Sequence, residues 1–336
     1  EVYMKVVCLC DMAITPELMG KMKELESSGH NVVIIDDDMM QTPKDITRVM
    51  LKTEQEGADS CLANELFIKE SQDADIVVVH AAPVNKQVLE SAKKLKYVMV
   101  LRSGIENVNK NICDDMKVQI INAPGRSAHA VADCTVGLML SELKNIARGH
   151  HDLMNGKWTK KFPNFEYTHD LRNLKVGIIG AGQIGSKVIK RLSGFECDVI
   201  VHDPFVSDVE LEKQGYKAVT LEKLLQESDI VSLHLRLSET TENFIGQKEL
   251  ELMKPTSYLI NVARSGLTDK HALVTALKEK WIGGGAFDVF DEEPLSEDNP
   301  FLSLDNVTIT PHLAGTSMDT FGNSVEIIYD EILKLL

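Results

Sequence analysis

Short continuous apolar runs, separated by amphipathic stretches of helical period, recur along the whole chain. Met4 to Leu9 predicts a first strand, Pro16 to Ser27 a helix, and Val32 to Ile35 a second strand that ends in the acidic run Asp36, Asp37, Asp38. Thr15 before Pro16 supplies an N-cap with proline at the first helical position. Asp75 to Val79, Tyr97 to Leu101 and Val118 to Ile121 are apolar throughout, as strands buried on both faces of a parallel sheet are. Five strands with helical stretches between them predict a first α/β domain of about 120 residues.

Asn122-Ala-Pro-Gly125 breaks this alternation, and a single long helix is predicted from Ser127 to about His150. Its apolar residues, among them Val131, Cys134, Val136, Leu138, Met139, Leu143 and Ile146, cover most of its circumference in the first half. A helix apolar nearly all round must be buried, here between domains or against another subunit. Gly156 to Arg172 reads as irregular surface. Strands then recur at Val176 to Ile179, Asp198 to His202, Asp229 to His234, Tyr258 to Val262, Gly284 to Phe287 and Val307 to Thr310, with helices near Leu221 to Glu227, Lys248 to Met253 and Asp269 to Lys280. These are enough for a full doubly wound sheet. The last segment, Ser317 to Leu336, puts Met318, Phe321, Val325, Ile328 and Ile332 on one helical face, which needs a surface to cover.

The second half opens with the strongest local signal. The strand at Val176 runs into Gly180, Gly182 and Gly185 in Gly-x-Gly-x-x-Gly spacing, a helix follows, and the next strand ends at Asp203, at the separation of roughly 20 residues that a dinucleotide site requires. Gly180 permits the tight turn, Gly182 lets backbone approach a pyrophosphate, and Gly185 lets the helix pack on the strand with its N-terminus toward phosphate charge. Asp203 is placed to accept hydrogen bonds from ribose hydroxyls. The spacing alone is common; its setting of strand, helix, strand and terminal acid is specific.

Composition narrows the choice of partners. The 336 residues, 43% hydrophobic and 26% charged, suit a two-domain globular protein. A net charge of -15, from 51 acidic against 36 basic residues, argues against nucleic acid and against anionic membranes, whose phosphates need clustered cations. The segment from Glu1 to Thr15 lacks the pattern of a secretion signal, and no apolar run approaches the roughly 20 residues of a membrane span, so a cytoplasmic location is expected. Cys8, Cys10, Cys61, Cys113, Cys134 and Cys197 include no Cys-x-x-Cys and lie mostly in apolar runs, which reads as reduced core thiols and no metal site.

Three polar residues each follow a strand of the second half, the edge where open α/β sheets bind ligands. Arg264, after the strand at Tyr258, offers a fork of donors suited to the carboxylate of a 2-keto acid. His312, after the strand at Val307, offers ring nitrogens suited to proton transfer near neutral pH. Glu293, past the strand at Gly284, is by itself one acid in an acidic loop. Together, beside a nucleotide motif in the same sheet, the three point to a reaction centre.

Over nearly its whole length the chain resembles the D-isomer-specific 2-hydroxyacid dehydrogenases, the family of phosphoglycerate, glycerate and D-lactate dehydrogenases. The resemblance runs from the loop Leu101 to Asn109, through Asn122-Ala-Pro-Gly125 and the glycine turn, to Leu252 to Arg264 and Thr310 to Gly315. It implies NAD as cofactor and hydride transfer between a D-2-hydroxy acid and its 2-keto acid. It implies that Arg264 holds the substrate, that His312 exchanges the proton, and that Glu293 hydrogen-bonds His312. Ser103 and Gly104 would receive the substrate carboxylate; Gln183 and Ile184 would touch the pyrophosphate. Val262 and Asp288 would lie by the nicotinamide ribose and carboxamide, and His312 to Gly315, including Ala314, on the ring's other side. The family's fold implies a Rossmann doubly wound cofactor domain over residues 125–315 and a flavodoxin-like substrate domain built from both termini, residues 1–124 and 316–336. It also implies hinge closure, a homodimer through the 127–150 helix region, and no C-terminal regulatory domain in these residues.

Two positions depart from the family. Arg102 stands where small residues are common, which brings a second cation toward the substrate and suggests a larger or doubly anionic acid, phosphorylated or sugar-derived, such as 3-phosphoglycerate. Arg236 replaces the usual proline after the strand at Asp229, near the expected adenosine; NAD is still expected, because Asp203 would repel a 2′-phosphate. Two rival readings remain: an NAD-sensing binding protein without catalysis, resembling corepressors on this fold, and formate oxidation, which normally needs glutamine at the position of Glu293.

Overall fold

Buried parallel strands need both faces covered, and the chain meets that need twice. The computed structural model describes residues 3–336, which divide into two units, 3–127 with Ser317–Leu336, and Ala128–Thr316. In the first unit β1 (Lys5–Cys10), β2 (Asn31–Asp36), β3 (Ile76–Val79), β4 (Tyr97–Val100) and β5 (Gln119–Asn122) form one parallel sheet in the order β2-β1-β3-β4-β5. This is the flavodoxin-like order, whose switch point lies between β1 and β3. The register pairs Val6 with Val32 and with Ile76.

One face of this sheet is covered by the helix Asp319–Leu335, whose Val325, Ile328 and Ile332 are buried in a cluster with Met19, Met22, Leu25 and Cys8. Met318 lies outside that face, 79% exposed. The predicted helix at Pro16 is only partly α: Pro16–Met19, capped by the Thr15 hydroxyl, tightens into a 3-10 helix over Gly20–Ser28 that Gly29 ends at φ 87.

The second unit holds β6 (Lys175–Ile179), β7 (Asp198–His202), β8 (Ile230–Leu233), β9 (Tyr258–Asn261), β10 (Gly284–Phe287) and β11 (Val307–Ile309), parallel in the order β11-β10-β9-β8-β6-β7. A further single bridge pairs Val201 with Ala218. The order reverses between β6 and β8, so β6 delivers the glycine turn to the switch point.

The long helix predicted from Ser127 to His150 is two helices, Ala128–Lys144 and Ile146–Met154. Asn145 between them is left-handed at φ 54, a conformation asparagine tolerates better than most residues. A buried polar network holds the break. Arg148 Nη2 donates to Glu142 Oε1 at 2.6 Å and its Nη1 to Asn145 Oδ1 at 3.0 Å, while Thr308 on β11 donates to Glu142 Oε2 at 2.7 Å. The first helix spends its apolar surface within its own unit: Val131, Leu138, Met139 and Leu143 share a core with Val176, Ile178 and Ile260. Ile146, expected to be buried, is 57% exposed.

Candidate active site

The glycine turn has the geometry its spacing predicts. Gly180 sits at φ 93, and a Cβ there would lie 2.8 Å from the His234 carbonyl oxygen; a Cβ on Gly185 would lie 1.9 Å from the Gly180 carbonyl oxygen. Around Gly182 the same test finds open space. Two glycines therefore serve packing, and the third leaves room for a ligand. No side chain caps the helix Gly185–Leu192; the N–H groups of Ser186 and Lys187 turn back to the Gly182 and Ile184 carbonyls at 3.1 and 2.9 Å, and the positive end of the helix lies at the turn, as an anionic pyrophosphate requires. Gln183 is exposed and Ile184 half-buried at the turn. Asp203, 9% exposed, ties the turn to β7: its Oδ2 accepts the Ala181 N–H and its Oδ1 the Phe205 N–H, each at 2.9 Å. Arg236 is exposed beyond β8.

Three loops after neighbouring strands of the same sheet carry the candidate reactive groups. His312 Nδ1 and Glu293 Oε2 lie 2.8 Å apart, and Glu293 Oε1 accepts the Phe290 N–H at 2.9 Å. Burial pushes the Glu293 carboxyl upward, but the hydrogen bond from His312, that from Phe290, and the charges of His312 and Arg264 outweigh it and hold the group below the usual carboxylate range. Arg264 is exposed and acts on Glu293 through space; its Nη1 donates to the Ala263 carbonyl at 2.7 Å. An apolar cavity of about 360 Å³, walled by Phe290, Leu295, Ile309 and Pro311, adjoins the Glu293–His312 pair.

Two buried residues shape these loops. Asn261, 1% exposed, donates to the Arg264 carbonyl at 2.9 Å and accepts the Ala263 N–H at 3.0 Å, fixing the turn that carries Arg264. Asp288, which the resemblance sets beside the nicotinamide, is buried; it accepts the Thr310 hydroxyl and, at 2.9 and 2.8 Å, the N–H groups of Leu313 and Ala314. It thus clamps both sides of His312, whose own backbone is left-handed at φ 50. Val262 and Ala314 are buried and Gly315 half-buried.

Comparison with known proteins agrees with this geometry. Residues 136–314 match the family model described as D-isomer specific 2-hydroxyacid dehydrogenase, NAD binding domain. The chain belongs to this family. It is 35% identical over 278 residues to a D-3-phosphoglycerate dehydrogenase of Methanocaldococcus jannaschii, covering 82% of this chain and 52% of that one. The chain thus spans about half the length of that relative. A glyoxylate reductase of Korarchaeum cryptofilum is 32% identical over 273 residues, covering 81% of this chain and 82% of its own. The NAD-complexed crystal structure of a D-isomer specific 2-hydroxyacid dehydrogenase from Lactobacillus delbrueckii ssp. bulgaricus superposes with a TM-score of 0.76 at 25% identity, over 98% of this chain and 96% of that one.

In this family member the loop after β4 lies in the first unit. Ser103 Oγ donates to the Ala123 carbonyl at 3.4 Å, and the Ser103 carbonyl accepts from Asn122 Nδ2. The atoms nearest a Cβ on Gly104 would be the flexible end of Glu106. The Arg102 side chain is 13% exposed, with Nη2 3.8 Å from Glu106 Oε2. Sequence reasoning missed Arg126, which sits in the turn directly after Asn122-Ala-Pro-Gly125. Among the described residues no group of three or more His, Cys, Asp and Glu side chains could hold a metal, and no helix is long and apolar enough to cross a membrane.

Proposed function

We propose that this chain is an NAD-dependent oxidoreductase that interconverts a D-2-hydroxy acid and its 2-keto acid. The observation that carries the reading is the Glu293–His312 pair within reach of the Arg264 charge, at the carboxyl edge of the sheet that bears the glycine turn. The nicotinamide, when bound, accepts or supplies hydride at the substrate C2. Arg264 holds the carboxylate and the neighbouring oxygen through parallel N–H donors. With Nδ1 engaged by Glu293, His312 presents Nε2 to the substrate oxygen. It donates a proton there as the keto acid is reduced and removes it as the hydroxy acid is oxidised. Glu293 compensates the imidazolium charge that appears in the oxidative direction. Ser103 and Gly104 offer backbone amides to the carboxylate, Gln183 and Ile184 pack on the pyrophosphate, and Asp203 takes the ribose hydroxyls.

The substrate we favour carries a second anionic group, as a phosphorylated or sugar-derived acid does; the buried Arg102 supports it. A homodimer through the 127–150 helix region is favoured by the exposed Ile146. Six free cysteines suit a reducing, cytoplasmic setting. The test is a screen following NADH absorbance with glyoxylate, hydroxypyruvate, phosphohydroxypyruvate and larger 2-keto acids. Turnover of at least one is expected; NADH binding without turnover of any would replace this reading with that of an NAD-sensing binding protein.

A further inference from the structure

Four charged or titratable side chains of the first unit follow the carboxyl ends of its parallel strands: Asp11 after β1, His80 after β3, Arg102 after β4 and Arg126 beyond β5. β1 and β3 flank the switch point of this sheet, the place where sheets of this order take ligands. Asp11 is fully occupied. Its Oδ1 accepts the N–H groups of Ala13 and Ile14, both at 2.9 Å, and its Oδ2 lies 2.8 Å from His80 Nδ1. His80, 3% exposed and packed edge-on against Phe321, turns its Nε2 to Arg126 Nη1 at 3.4 Å. A guanidinium can only donate, so Nε2 is the acceptor and Nδ1 carries the ring proton toward Asp11.

The remaining acceptors of Arg126 Nη1 are neutral as well, the Leu101 carbonyl at 3.2 Å and the Ser324 hydroxyl at 3.5 Å. Arg102 meets one carboxylate, Glu106 at 3.8 Å and 44% exposed, while its buried Nη1 has no hydrogen-bond acceptor among the described residues. The loops bearing the two arginines are tied together by the Ala123 N–H on the Arg102 carbonyl at 2.9 Å. Burial lowers both pKa values, and the Arg102 charge lowers that of Arg126 further, with Asp11, Glu54 and Glu106 only partly offsetting it. Two desolvated like charges, with one loosely held carboxylate within ion-pair distance and two more acting only through space, are costly unless an anion completes the set. Planar forks of N–H donors fit the oxygens of a phosphate, and two positive charges balance a dianion.

We propose that Arg102 and Arg126 form an oxyanion receptor in the first unit that takes a phosphate-class dianion. The anion comes either as the phosphate of a phosphorylated 2-keto or 2-hydroxy acid or as free phosphate. The binding itself stands apart from the dehydrogenase reading; its use to select substrates rests on that reading.

The test titrates inorganic phosphate calorimetrically into the NADH-saturated protein, so that the glycine turn is occupied, for wild type, Arg126→Gln and Arg126→Lys. In parallel, kcat/KM is measured for phosphohydroxypyruvate and hydroxypyruvate. Phosphate is expected to bind wild type and to lose at least tenfold in affinity in Arg126→Gln. The Gln variant should also lose at least tenfold more kcat/KM on the phosphorylated acid than on the plain one, with Lys intermediate. Phosphate binding lost in the variant with an unmoved substrate ratio assigns the receptor to free phosphate. The same loss in a protein that turns over no acid keeps the receptor and removes the dehydrogenase reading. No phosphate binding to wild type, or equal affinity across the variants, overturns the proposal. Should Arg126→Gln fail to fold, the Lys variant decides, since it keeps the charge and loses the fork.

Discussion

Glu293 Oε2 lies 2.8 Å from His312 Nδ1, which leaves Nε2 as the ring nitrogen that can exchange a proton with a ligand. Replacing Glu293 by glutamine keeps an acceptor of similar shape and removes its charge. A charge-assisted hydrogen bond exceeds a neutral one by about 1–1.5 kcal/mol, so kcat should fall on the order of tenfold in Glu293→Gln. Replacing His312 itself removes the acid and base and should cost about 10²–10⁴-fold. Steady-state rates from NADH absorbance check both, and a Glu293→Gln enzyme with wild-type kcat would show that the carboxylate has no part in the reaction.

The same carboxyl makes stability depend on pH in one direction. Its folded pKa is held below the ordinary 4.5, with burial opposing and the His312 bond, the Phe290 N–H and nearby positive charges prevailing. A depressed carboxyl stabilises the fold above its unfolded pKa and loses that contribution as pH falls through the folded value. The Tm gap between wild type and Glu293→Gln should therefore be present just above pH 4.5 and shrink as pH falls below it. A gap that widened on acidification would contradict the assignment.

The three glycines of the turn separate packing from ligand contact. In Gly185→Ala the new methyl lies 1.9 Å from the Gly180 carbonyl oxygen, which forces the helix off the strand. Overpacking of this kind costs about 1–3 kcal/mol, seen as a lower denaturation midpoint. Gly182→Ala meets nothing in the protein. Its stability should stay within about 0.5 kcal/mol of wild type, while NADH affinity measured by fluorescence drops several-fold. Equal effects of the two on stability would remove the distinction.

How much of this could be read from the chain follows from where each signal resides. The eleven strands of the described residues were legible, most plainly those buried on both faces, which must be continuous apolar runs: Ile76–Val79 or Ile230–Leu233 can be little else. The loops that carry Arg264 and His312 were legible because these residues directly follow such runs. The break at Asn145 was not: it depends on Glu142 meeting Thr308, 166 residues away. Asp288 entered as a ligand contact only through the resemblance; that its oxygens also hold the next loop is a fact no local pattern encodes. Arg126 was missed for the same reason, since its partners His80 and Ser324 reach it only through the sheet order and the final helix.

Cofactor choice rests on Asp203. Its carboxylate is fixed by the N–H groups of Ala181 and Phe205, each at 2.9 Å, so it cannot swing away from a ribose placed at the end of β7. The residues that follow, Pro204 and the 65% exposed Phe205, supply no cation to a 2′-phosphate, and Arg236 lies after a different strand. Like charges brought together at a binding site cost several kcal/mol, of which 2–3 kcal/mol corresponds to about 10²-fold in rate. NADH should thus exceed NADPH in kcat/KM by at least that factor. Asp203→Asn keeps one acceptor for the turn and removes the repulsion, so the NADPH value should rise relative to NADH even as both fall. A wild-type enzyme that prefers NADPH would instead mean that Arg236 reaches the 2′-phosphate and that Asp203 serves the turn alone.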